Sequence, residues 1–337
     1  MCPHATSQSQ RITVRRVGLC ALLVAGLSCQ RPESPPQPIL GSAVPTQSQV
    51  VATLTRPTAA ALSSDGTLLF ALAQDDAEAY QLFAGSVGST LSVVPTSVPL
   101  SYPVALAIRR TRPELVVVDL GASDAAHPAG TVYRGTFDGT LAPLSSSLPW
   151  YPTAVALAAD DRSVYVTGRD AQSGEAGVFQ VSLSDGAIHT LFQGAPLSQP
   201  IAVAQTSDGG LYVAEAQNAG TQRGAIFRIS AGQALPIRRE PLPSLFPSGL
   251  CAAGRPSADL LFSASLATGT EPWLYRLSPT GTTEALVFSS ATEVTALSRA
   301  ADADLWVAID AVVPADAASP DPLSLERPQG HVLLLAP

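Results

Sequence analysis

Lysine is absent from the 337 residues: all nineteen basic side chains are arginine, set against 27 acids for a formal charge of −8. So acidic a chain has no basic stripe to lay along phosphates, and a nucleic-acid footprint is excluded. Asparagine occurs once, at Asn218. Of four cysteines, three fall within the first 29 residues, and Cys251 stands alone in a small-apolar run. Cys251 reads as a buried small hydrophobe, and no disulfide is expected. The apolar run Val17 to Gly26 is about half the length of a membrane-crossing helix. There is no Gly-x-Ser-x-Gly elbow, no phosphate-binding Gly-x-x-x-x-Gly-Lys loop and no His-Glu-x-x-His. His127, His189 and His331 fall in different parts of the repeat, which argues against a shared zinc site.

What is present is a segment of about 47 residues that recurs six times. Its first strand is small and apolar and usually opens on proline: Pro57 to Leu62, Pro103 to Ile108, Pro152 to Leu157, Pro200 to Ala204, Pro247 to Ala252, then Glu293 to Ser298. The prolines are spaced by 46, 49, 48 and 47 residues, so little is inserted between units. A tight turn leads to a heavier strand, such as Leu115-Val116-Val117-Val118 or Leu305-Trp306-Val307. Asp65-Gly66 and Asp208-Gly209 set hairpin geometry there, and Asp302 with Asp304 reads as a solvated turn. Third strands alternate more clearly, and fourth strands are weak. Four strands at this period predict an all-β fold, a six-bladed β-propeller of four-stranded antiparallel blades. The inner strands are small because they converge on a central channel. The last copy runs out of chain after His331 to Leu335, and Gln49 to Leu54 supplies the missing strand. The sequence therefore predicts a ring closed by N- and C-terminal strands in one blade.

Arg11, Arg15 and Arg16 precede the short apolar run, which ends in Leu27-Ser28-Cys29. Residues 1–28 resemble a bacterial lipoprotein signal peptide, with Cys29 as the lipid-accepting residue; an ordinary cleaved signal is the alternative. Residues 29–48 read as a Pro/Ser/Gln-rich tether and 49–337 as the propeller. The resemblance implies export and a lipid anchor in the cell envelope, on the periplasmic or outer-membrane side. Without residues 1–28 the formal charge becomes 16 − 27 = −11.

In this topology the residues before each inner strand ring the channel mouth: Arg56, Tyr102, Tyr151, Gln199, Phe246 and Glu293. Loops after the second strands add Gln74, Asp75, Asp119, Arg169, Asp170, Glu215, Asn218 and Asp310. The expected mouth is aromatic-rimmed and mainly acidic, suited to a small polar ligand, a cation or a peptide segment. The long loop Ala311 to Gln329 breaks the symmetry and is the expected partner contact.

The fourth repeat, Pro200-Ile201-Ala202-Val203-Ala204 with Asp208-Gly209-Gly210-Leu211-Tyr212-Val213, resembles an NHL-type propeller repeat. The third, Val164-Tyr165-Val166-Thr167-Gly168, is similar to the YVTN-type surface repeat. Such families host binding modules, scaffolds and enzymes alike. The expectation is a non-enzymatic, monomeric lipoprotein propeller without a cofactor, binding a protein or an envelope polymer. The alternative is a calcium-dependent lactonase or esterase similar to the gluconolactonase and regucalcin group. There Glu293, Glu215 and Asp119, with Asn218, would approach an axial ion. A quinoprotein would need basic residues that the mouth lacks.

Overall fold

The repeats become antiparallel strand ladders in the computed structural model, which describes residues 44–122, 129–144, 150–216, 224–237, 246–254, 257–265, 273–286, 294–310 and 329–337. The chain opens with β1 (Gln47–Leu62), β2 (Leu68–Gln74), β3 (Tyr80–Ser86) and β4 (Ser92–Val94). Four separate four-stranded sheets follow, each paired in chain order. The first holds β5 (Pro103–Ile108), β6 (Glu114–Asp119), β7 (Thr131–Thr136) and β8 (Leu141–Pro143). The second holds β9 (Trp150–Leu157), β10 (Ser163–Asp170), β11 (Ala176–Ser182) and β12 (Ile188–Gln193). The third holds β13 (Pro200–Gln205), β14 (Leu211–Glu215), β15 (Ala225–Ser230) and β16 (Gln233–Pro236). The fourth holds β17 (Phe246–Ala252), β18 (Leu260–Ser265), β19 (Leu274–Leu277) and β20 (Thr283–Leu286). Finally β21 (Val294–Arg299), β22 (Trp306–Asp310) and β23 (Gln329–Ala336) join the opening strands in a seven-stranded sheet, ordered β21-β22-β23-β1-β2-β3-β4. The architecture is an all-β propeller.

Two blades expected as separate four-stranded units are thus one sheet, and the reason is β1. The sequence breaks visually at Arg56-Pro57, but the strand runs through. Residues Gln47 to Thr55 pair with β23, and Thr55 to Leu62 pair with β2. The change of partner falls at Arg56, whose φ of 44° lies in the left-handed region that a long side chain seldom occupies. The propeller boundary expected at residue 49 also moves, since Gln47 and Ser48 already pair with Ala336 and Leu335.

The prolines have a common physical role. Proline cannot donate to a ladder and is tolerated at strand starts and bulges. Each inner strand slips register against its second strand just there, between Pro103 and Ala105, Pro200 and Ala202, and Pro247 and Gly249, for example. The residue skipped by the bulge is free to bond sideways. The Thr153 hydroxyl donates to the Pro200 carbonyl of the next inner strand at 2.6 Å, and Ser248 does the same to Val294. Close approach explains the small residues. A Cβ on Gly249 would meet the Leu297 amide nitrogen at 2.8 Å.

Inner strands touch in the order β1–β5–β9–β13–β17–β21, and β21 touches β1. The heavy second strands fill the wedges between sheets. Leu72 and Phe70 pack with Leu115 and Val117, while Val116 and Val118 pack with Val164 and Val166. Within the seven-stranded sheet, Leu69 and Ala71 meet Val307, Ile309 and Val332. Each fully buried aliphatic side chain contributes about 1.5–3 kcal/mol, and cooperative packing of wedge on wedge fixes where the inner-strand ends point.

Candidate functional site

Asp119, Glu215 and Asp310 are each the last residue of a second strand (β6, β14 and β22), opposite the first residue of the inner strand. They were expected to line the mouth, and the structure corrects this. All three are buried, at 0%, 0% and 2% exposure. Asp119 Oδ1 accepts from the amides of Tyr102 (2.7 Å), Gly121 (3.0 Å) and Ala122 (3.1 Å), and Oδ2 from the amide of Ser101 (2.8 Å). Glu215 Oε1 accepts from the Ser198 amide at 3.0 Å, the Ser198 hydroxyl at 2.9 Å and the Gln199 amide. For Asp119 and Glu215 the physical reason is shared: the lead-in to an inner strand turns sharply, its N–H groups point inward, and a buried acceptor must satisfy them. These two carboxylates are clamps. Asp170 and Asp75 serve their own loops likewise, accepting from Gln172 and Ser173 and from Ala77 and Ala79.

Burial pushes the Glu215 carboxyl above its usual range, against the pull of the Gln199 and Ser198 hydrogen bonds and the Arg169 charge. Its Oε2 is buried without a hydrogen-bond partner. Desolvation here outweighs the donors.

With Asp119, Glu215 and Asp310 buried, two tyrosines and two arginines are left exposed at the mouth, where Asp75 and Asp170 are half-buried. Tyr102 is 49% and Tyr151 45% exposed, and both Arg56 and Arg169 are exposed. Tyr102 meets Tyr80 edge to face at 5.9 Å. Burial raises the Tyr80 phenol's pKa and Tyr102 adds to it, while the Arg56 charge opposes both. Tyr151 and Arg169 are direct partners across β9 and β10, and the Arg169 guanidinium donates to the Ser198 carbonyl of the next lead-in. Asn218, Glu293 and the side chain of Phe246 lie outside the described residues, as do Cys29, His127 and loop residues 311–328.

The channel behind this mouth is a bore of small and branched side chains. A cavity of about 80 Å³ lies among Ala60, Ala105, Val155, Ala202, Leu250 and Leu297, with the hydroxyls of Thr153 and Ser248 on its wall. No Asp, Glu or His lines it. Among the described residues, no group of three or more His, Cys, Asp or Glu could hold a metal ion. Of the expected axial calcium ligands, Asp119 and Glu215 accept from their own lead-ins, and Glu293 and Asn218 lie outside the described residues. His189 sits on β12, and His331 on β23 contacts Thr53 at 3.1 Å.

Sequence reading missed a buried ion network on the hairpin side. Arg109 is 8% exposed; its guanidinium meets Glu114 at 2.6 Å, the Asp161 carbonyl at 2.6 Å and the Asp161 carboxylate at 3.4 Å. Glu114 also takes Arg134 at 2.8 Å. The hydrogen bond from Arg134 holds the Glu114 carboxyl below its usual range despite burial, with Arg109 adding to it. Asp161 is also lowered: burial raises it, but the Thr111 hydroxyl and the amides of Arg110 and Thr111 prevail. The signal was in the third strands, where arginine follows an aromatic in Tyr133-Arg134, Phe227-Arg228 and Tyr275-Arg276. Arg276 repeats the pairing, donating from Nε to Asp259 at 2.6 Å.

No protein-family model matches the chain, and no curated protein matches its sequence. Solved structures do match the fold. A calcium-binding protein, regucalcin, from Agrobacterium tumefaciens aligns with a TM-score of 0.60 at 11% identity, over 88% of this chain and 97% of that one. A PQQ-bound aldose sugar dehydrogenase from Streptomyces coelicolor gives 0.58 at 12%, over 87% and 99%. A putative TolB from Agrobacterium tumefaciens gives 0.51 at 15%, over 70% and 80%. At such identities the likeness is one of fold.

Proposed function

We propose that this chain is a non-enzymatic, lipid-anchored envelope protein whose propeller binds a protein or an envelope polymer at the channel mouth. In this reading Cys29 carries the anchor, and residues up to the start of β1 form the tether. The ring has six blades of NHL/YVTN-type grammar and is closed by the terminal strands. Support for six comes from the six inner strands touching in cyclic order; support for closure comes from β1 pairing with β23. Loop 311–329 is a second contact region.

The observation that carries the binding reading is the exposure of tyrosine and arginine together at the mouth. Asp119 and Glu215 Oε1 accept from lead-in amides, while Tyr102 and Tyr151 stand half-exposed beside Arg56 and Arg169. Tyrosine and arginine are the side chains that anchor interfaces, since each offers large area and a polar tip. Replacing Tyr102 and Tyr151 by alanine together is expected to cut partner capture from an envelope extract at least ten-fold. The melting temperature should stay within about 2 °C, because neither ring is core. An unchanged set of captured partners would end this reading.

The calcium-dependent alternative makes an opposite forecast. A ligand bound to the folded state at a hundred times its Kd stabilises by about 2.7 kcal/mol. With Asp119 and Glu215 committed elsewhere, millimolar calcium should leave the melting temperature unchanged and no lactone should turn over. A rise of several degrees restores the axial ion.

A further inference from the structure

At the opposite end of the channel from the tyrosines, the hairpins between first and second strands converge on a cavity of about 160 Å³. Its wall continues the bore: Leu106, Val155, Val203, Leu250 and Leu297 line both this cavity and the one above it. Its rim differs. Two guanidinium groups, Arg110 and Arg299, line it together with the hydroxyls of Ser64 and Ser298, and no carboxylate does.

Arg299 is held in place but not fully used. Its Nη1 donates to the Ala301 carbonyl at 3.3 Å and its Nη2 to Asp304 at 3.2 Å, with the guanidinium 5.9 Å from the Trp306 ring centre. Its Nε is buried out of reach of the cavity, so a ligand would meet the guanidinium ends of Arg299 and Arg110, for which an anionic oxygen is the strongest kind of acceptor. A water occupies roughly 10–15 Å³ by the same measure, so the cavity has room for about ten non-hydrogen atoms.

We infer that the hairpin end of the channel binds a short straight-chain monocarboxylate, its carboxylate held by the arginine rim and its hydrocarbon chain running up the bore. The geometry divides the ligand as the wall is divided, charged at the rim and apolar along the axis. This site is separate from the mouth and needs no metal.

Calorimetric titration of the full-length protein with acetate, butanoate, hexanoate and octanoate tests it, with 1-hexanol and 1-octanol as uncharged counterparts. Affinity should rise about four-fold per methylene, the factor expected for burying one such group, and octanoate should saturate at one per chain. The alcohols should bind at least ten-fold more weakly. Arg299→Gln and Arg110→Gln should each reduce octanoate affinity ten-fold or more, whereas Arg299→Lys, which keeps the charge, should lose less. Should a glutamine variant fail to fold, the length series and the alcohol comparison on the unaltered chain still decide. Absence of saturation, equal binding of acid and alcohol, or affinity independent of chain length would each overturn the proposal.

Discussion

Glu114→Gln is expected to lower stability by about 3–5 kcal/mol, the range for removing one partner from a buried ion pair. The loss does not come from the pair's own attraction. It comes from what stays behind: Arg109, 8% exposed, with its Nε already buried and unpartnered, would face a neutral amide. Arg109 keeps the Asp161 carbonyl at 2.6 Å, which places the expected effect toward the lower end of that range. At about 2 °C per kcal/mol for a domain of this size, the melting temperature should fall by roughly 6–10 °C. Arg112→Ala is the internal comparison. It touches the same carboxylate at 4.0 Å but is 61% exposed, so its loss should stay below about 1 kcal/mol. Equal shifts for the two variants would mean that burial of Arg109 costs nothing, and the account of the network would fail.

The same network sets the acid side of the stability curve. Glu114 and Asp161 have lowered carboxyl pKa values in the folded protein. Their contribution is fully present above the ordinary carboxylate range near pH 4 and drains away as pH falls through their folded values. Glu215 is raised and acts with opposite sign: its contribution is greatest in acid and is lost as pH rises through its folded pKa. Glu114→Gln should therefore flatten the acid limb, and Glu215→Gln the limb above it.

Much of this fold could be read from spacing. A proline every 46 to 49 residues marks a position that must bulge, and a small-apolar run after it marks a strand crowded by its neighbours. What spacing could not reveal was direction. Asp119 at the end of Val116-Val117-Val118 looks the same whether it faces solvent or the amides of Ser101 and Tyr102, and those lie 18 and 17 residues upstream. Of the residues expected around the mouth, the tyrosines stand out, while Asp119, Glu215 and Asp310 are buried. Arg109 to Glu114 carry no local sign of burial, because charge-rich turns are ordinary on surfaces. Only the arginine recurring one residue past an aromatic in the third strands pointed to an inward partner. The continuity of β1 through Arg56 had no local signal at all, since it depends on β23, which lies at the far end of the chain.

That continuity leads to the largest expected effect. Removing β23, residues 329–337, should abolish cooperative unfolding altogether. The strand lies between β22 and β1 and buries Val332, Leu333 and Leu335 at 0%, 2% and 0% exposure. Three such side chains amount to roughly 5–9 kcal/mol of lost burial, comparable to the whole stability of a typical domain, and the cut leaves two unpaired strand edges besides. Truncation from the other end separates the strand's role from mere chain length. Deleting residues 1–46 leaves every β1–β23 pair in place and should leave the melting temperature within about 2 °C, because the sheet loses only the Thr46 amide's bond to the Ala336 carbonyl at its end. Deleting residues 1–56 removes the half of β1 that pairs with Gln329 through Ala336, and should be as damaging as losing β23 itself. Circular dichroism melts of the three truncations decide the matter. If the 1–56 deletion still melts cooperatively near the temperature of the intact chain, the terminal strands do not hold the propeller together, and the burial of Val332 between Leu69 and Ile309 must be supplied by some other closure.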